Sequence, residues 1–137
     1  MKNPSQQNYI PQVSIDCVIF GYSELQLQVL IPKLSFKGDF WALPSGFVFQ
    51  DEDIDAAAHR ILRERTGIES IYLEQFKVFG RASRSSKVFL DKLIEQNFDK
   101  SGEKSASHST DYDWFTKRFL AVGYYALVDI NKVIPHK

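Results

Sequence analysis

The stretch from Asp51 to Gly67 constrains the fold more than any other part of this chain. Asp51, Glu52, Asp53 and Asp55 gather where a helix would begin, and the partial positive charge of a helix N-terminus favours carboxylates there. Ala56, Ala57 and Ala58 are strong helix formers, Arg60, Arg63 and Arg65 suit the later turns, and Gly67 is a natural stop. A helix from about Asp53 to Thr66 is therefore predicted.

Strand patterns flank it. Val13, Ile15, Cys17 and Ile19 alternate with Ser14, Asp16, Val18 and Phe20, and a second alternating run covers Leu25 to Val29 before Pro32. A short turn at Gly21-Tyr22-Ser23-Glu24 would join the two as a hairpin. Leu34 to Phe40 reads as a loop, and Trp41 to Phe49 as an extended run bent at Pro-Ser-Gly. Ile71 to Phe79 and the aromatic, β-branched Phe119 to Ile130 are further strands. Between them, Lys87 to Phe98 carries Val88, Phe89, Leu93, Ile94 and Phe98 on a helical stripe, and the serine-rich residues 99–113 read as a mobile surface loop. The organisation expected is an N-terminal arm over residues 1–12, then one domain over 13–137, with the inserted helix and loop at about 87–117.

Composition narrows the function. A chain of 137 residues suits one domain. Seventeen basic and seventeen acidic residues cancel, whereas a lone domain gripping phosphate backbones would show a basic excess, so DNA binding by this chain alone is disfavoured. No apolar run is long enough to span a bilayer, and the polar start MKNPSQQNY lacks the apolar block of a secretory signal. Cys17 is the only cysteine, set in an apolar strand as a core thiol, and His59, His108 and His136 lack metal-ligand spacing. A cytoplasmic protein is expected, with no membrane partner.

The chemistry is concentrated in Gly46-Phe47-Val48-Phe49-Gln50-Asp51-Glu52, seven further residues, and Arg60-Ile61-Leu62-Arg63-Glu64-Arg65-Thr66-Gly67-Ile68. This resembles the Nudix box, G-x5-E-x7-R-E-U-x-E-E-x-G-U, where U is aliphatic. Gly46, Glu52, Arg60, Leu62, Glu64, Gly67 and Ile68 match at the right spacing, and Trp41-Ala42-Leu43-Pro44-Ser45-Gly46 resembles the W-x-L-P-G-G lead-in. The resemblance implies an α/β fold, a Nudix-type α/β/α sandwich with a mixed β-sheet, here shortened at its C-terminal end. It further implies that Glu52 pairs with Arg60 to brace loop against helix, with Gly67 as the other structural position of the box.

In the family, three box glutamates share one helical face and hold magnesium, which clamps a diphosphate and activates water. Those positions are here Ile61, Glu64 and Arg65. Ile61 offers no oxygen. Arg65 would stand as a like charge about 5 Å from a divalent ion, a repulsion of several kcal/mol at an effective dielectric of about 20. Glu64 alone remains as metal ligand or catalytic carboxylate. The scaffold is expected to survive and the hydrolase to be lost or weakened, with no cofactor, or magnesium if activity persists.

Tyr124-Tyr125-Ala126-Leu127-Val128 together with the degenerate box resembles the Nudix-related transcriptional regulators of bacteria. In these a weakened Nudix domain senses ADP-ribose or a sugar-derived metabolite and a winged helix binds DNA. The resemblance implies a small-molecule nucleotide or sugar ligand, held by Gly46, Arg60, Arg65, Arg81 and Arg84, and a homodimer. The sequence after Val128 lacks a winged helix, so a fragment or shortened member is expected. The alternative is a metal-dependent Nudix hydrolase that recruits ligands from outside the box. The long strand from Phe119 to Ile130 predicts self-association or marginal stability, unless the helix at 87–98 covers it.

Overall fold

The computed structural model describes residues 7–33, 41–82, 114 and 117–132. The readings at 34–40, 87–98 and 99–113, and the position of Arg84, lie outside the described residues. Strand β1 (Tyr9–Ser23) is followed by β2 (Gln26–Val29), β3 (Ser45–Phe49), helix α1 (Ile54–Thr66), β4 (Glu74–Phe79) and β5 (Leu120–Asp129). A short 3-10 turn, Ile130–Lys132, follows β5.

β1 is the spine of the sheet. One of its edges pairs antiparallel with β3 over its first half and with β2 over its second. The other edge runs parallel to β5 in an unbroken register from Val13↔Leu120 to Tyr22↔Asp129, and β4 closes that side antiparallel to β5. The sheet is mixed, as expected. The alternation in β1 also holds: Ile15, Cys17 and Ile19 are buried towards α1, level with the buried Val122, Tyr124 and Ala126 of β5.

Helix α1 supplies the other half of the core through Ala57, Ala58, Ile61 and Leu62. Ile61 and Leu62, at 2% and 1% exposure, each contribute about 1.5–3 kcal/mol by transfer from water. The helix ends at Gly67, whose φ of 77° lies in the left-handed region where a side chain would be strained, and whose N–H donates to the Arg63 carbonyl at 2.8 Å.

Three boundaries differ from expectation. β1 begins at Tyr9 rather than Val13, because the supposed arm finds a partner: Tyr9 pairs with Phe49, and the register then shifts before Ser14↔Phe47. Such a bulge hides strand character from a period-two reading. The hairpin turn is Glu24-Leu25, both at positive φ (45° and 71°), and Gly21 lies within β1 beneath Ile130. Two residues at positive φ match the twist of the flanking strands, so turn geometry overrides the glycine signal. β4 starts at Glu74, with Ile71 and Leu73 packed before it instead of paired.

Candidate functional site

The loop between β3 and α1 is held by one ion pair. Glu52 accepts from Arg60 at both oxygens, Nε to Oε2 at 2.7 Å and Nη2 to Oε1 at 3.0 Å. Arg60 Nη2 also donates to the Phe47 carbonyl at 2.7 Å, and Nη1 to Glu64 at 3.1 Å. Its guanidinium carbon lies 4.6 Å from the Phe49 ring centroid, a cation–π distance. The Phe49 N–H donates to Glu52 Oε1 at 3.2 Å. Burial alone would push the Glu52 carboxyl up, but the Arg60 hydrogen bonds, the Phe49 amide and the Arg60 charge outweigh it and hold it below the ordinary value of 4.5. Arg60 is thus committed to bracing strand, loop and helix.

The three family metal positions fare differently. Ile61 faces β3 and packs on Gly46, where an added Cβ would sit 2.8 Å from Ile61 Cγ1. Arg65 donates from Nε to the Ser45 carbonyl at 3.0 Å. Glu64 keeps a largely exposed side chain beside Arg60. An apolar wedge and a tethered cation flanking one carboxylate do not fit a magnesium ion bound through the box. Among the described residues no cluster of three or more His, Cys, Asp or Glu is arranged to hold a metal.

Arg81 is exposed just beyond β4. Nearby, Arg118 donates from Nη2 to the Gly80 carbonyl, which places two arginines together at this end of the sheet. The sequence singled out Arg81 but not Arg118 as a ligand candidate. Of the aromatic group at the same end, the sequence offers only Trp114, as a residue that stacks a base or packs a loop, with packing the expected role. Tyr9 stacks on Phe49 at 4.8 Å between centroids and touches Phe47 at 5.3 Å. Phe47 contacts Trp114 at 5.4 Å and Phe119 at 5.8 Å. Phe47 and Phe49 alternate about the buried Val48, a signal present in the sequence; Tyr9 gave none, because its strand is bulged.

Deeper in the molecule, Tyr124 donates to the Asp55 carboxylate in the first turn of α1. Burial, followed by that hydrogen bond and the Asp55 charge, raises the Tyr124 hydroxyl well above the usual phenol range. It ties the helix to β5 as part of the core. Tyr125, on the opposite face, donates to Glu74 at 3.0 Å and lies against Phe76.

A long mixed sheet, a glycine-led loop and a helix locked by Glu52 and Arg60 define a Nudix domain. Residues 11–121 match the family model of the NUDIX domain, and the chain belongs to that family. It is 39% identical over 115 residues to the ADPR responsive transcriptional repressor NtrR of Acinetobacter baylyi, a match covering 77% of this chain and 45% of the repressor. The chain therefore spans about half the length of that relative. The NUDIX domain of Shewanella oneidensis NrtR complexed with ADP ribose shares the fold, with a TM-score of 0.62 at 23% identity over 93% of this chain and 65% of that one. NrtR of the same organism complexed with a 27mer DNA superposes with a TM-score of 0.56 at 25% identity, over 85% of this chain and 42% of that chain.

Proposed function

We propose that this domain is the sensing unit of a transcriptional regulator and binds a nucleoside-diphosphate-linked metabolite of the ADP-ribose type, with hydrolysis lost or weak. The observation that carries this reading is Ile61 wedged against Gly46 beside Arg65 held on the Ser45 carbonyl. The box keeps its architecture and gives up two of its three metal ligands. An arginine where a metal would have stood favours a phosphate directly, through its remaining N–H donors. Arg65, Arg81 and Gly46 are the proposed ligand contacts, while Arg60 serves by holding the loop. The 39%-identical relative is named for its response to ADPR, which supports the same ligand class; a sugar-derived effector is the second candidate. The regulator reading also implies a homodimer working in the cytoplasm, and among the described residues no helix is long and apolar enough to cross a membrane.

Titration calorimetry with ADP-ribose, in the presence and absence of magnesium, tests it. Binding that is independent of magnesium, without release of AMP or ribose 5-phosphate, is the expected result. Magnesium-dependent turnover abolished by Glu64→Gln would establish the hydrolase instead.

A further inference from the structure

We infer that Asp16 and Ser45 are positioning residues for the ligand: together they fix the carbonyl that tethers Arg65, so that its guanidinium meets a diphosphate end-on. This rests on the nucleoside-diphosphate reading above, in which Arg65 is a ligand contact, and names what orients that contact.

Three hydrogen-bonded residues from three elements form the chain of contacts. Asp16 in β1 and Ser45 in β3 are register partners, at the last rung of the antiparallel ladder that runs back to Ser14↔Phe47. Their side chains share the face of the sheet away from α1. The single Ser45 hydroxyl proton lies between Asp16 Oδ1 at 2.5 Å and the Leu43 carbonyl at 2.9 Å, and the charged acceptor is the stronger of the two. A terminal rung is where a ladder frays first. The bond to Asp16, with the Cys17 N–H donating to the Pro44 carbonyl at 2.9 Å, holds this rung closed. The carbonyl so fixed is the one that accepts from Arg65 Nε at 3.0 Å. The W-x-L-P-G-G lead-in has glycine at the Ser45 position, so the hydroxyl is an addition of this chain.

The tether decides how Arg65 can bind. A guanidinium grips an oxyanion with two parallel N–H groups, either side-on through Nε and one Nη or end-on through both Nη groups. With Nε given to Ser45, the end-on edge remains. Each phosphorus of a diphosphate linkage carries two non-bridging oxygens, which suit that fork. A lysine could not hold the carbonyl and the phosphate in the same way, because its donors sit on a single nitrogen.

Titration with ADP-ribose of Ser45→Ala, Ser45→Thr and Asp16→Ala, each also combined with Arg65→Ala, tests the assignment. Ser45→Ala and Asp16→Ala are expected to bind about fivefold to tenfold more weakly than wild type, the worth of one hydrogen bond in an equilibrium constant. Ser45→Thr, which keeps the hydroxyl, should bind within about twofold of wild type by the same measure. In the Arg65→Ala background neither loss should recur, because the tethered group is gone. Asp16→Ala separates this role from plain electrostatics: removing a negative charge near an anionic ligand would by itself tighten binding. Unchanged or tighter binding by Asp16→Ala, or losses that persist in full without Arg65, overturns the positioning role. If Asp16→Ala does not fold, the contrast between Ser45→Ala and Ser45→Thr decides in its place. Wild type that binds no ADP-ribose, or Arg65→Ala that binds it as tightly as wild type, overturns the reading on which the role rests.

Discussion

Gly46 and Ile61 interlock: a Cβ on Gly46 would lie 2.8 Å from Cγ1 and 3.0 Å from Cδ1 of the isoleucine. The lead-in strand and the box helix approach this closely because one partner has no side chain and the other fills the space. Gly46→Ala is expected to destabilise the fold by about 1–3 kcal/mol through overpacking. Urea denaturation will measure this, and the same change in an Ile61→Val background should cost less, because Cδ1 is then absent.

The bidentate pair between Glu52 and Arg60 sets an acid limit on stability. The Glu52 carboxyl titrates below its ordinary value of 4.5 when folded. Its contribution is therefore complete above the unfolded value and is lost as pH falls through the folded one. Glu52→Gln should lower stability at pH 7 by about 1.5–3 kcal/mol, the worth of charge-assisted hydrogen bonds, and flatten the loss as pH falls through and below the ordinary carboxyl value of 4.5. Thermal melts across that window will show a narrowing gap between variant and wild type.

Restoring the two missing carboxylates separates metal binding from folding. Ile61→Glu buries a charge at a position 2% exposed and is expected to cost several kcal/mol. Arg65→Glu, on an exposed side chain, should cost well under about 1 kcal/mol. In the double variant magnesium should raise the melting temperature, since it binds the native state selectively. Wild type should show no such rise. A magnesium response in wild type would mean that ligands outside the box hold the ion.

Cys17 is fully buried in β1, and its thiol is pushed up to about 12, first by burial and then by the neighbouring Asp16 charge. The thiolate is the reactive form. Native protein at pH 8 should therefore react with a thiol-directed disulfide reagent only as fast as it unfolds, and one equivalent should react at once in denaturant. Rapid reaction of folded protein would place Cys17 in a mobile region instead of the core.

Local pattern and tertiary packing made separate contributions here. Helix α1 was legible because its acidic start, alanines and closing Gly67 act within a few residues of one another. The strands with strict alternation, such as Ile15-Cys17-Ile19, were legible for the same reason. The pairing of Glu52 with Arg60 was legible only through family spacing, since seven intervening residues do not by themselves say that two side chains meet. Three-dimensional packing decided the rest. Tyr9 became a strand residue because β3 offered it a partner, and Gln12 was bent into a bulge by the same register shift. Ile61 and Arg65 could be read in sequence as missing carboxylates; their contacts with Gly46 and Ser45 could not, because those depend on where β3 crosses the helix. Short-range signals report conformational preference, whereas a binding site is made by contacts between distant residues, which the closing of the sheet alone determines.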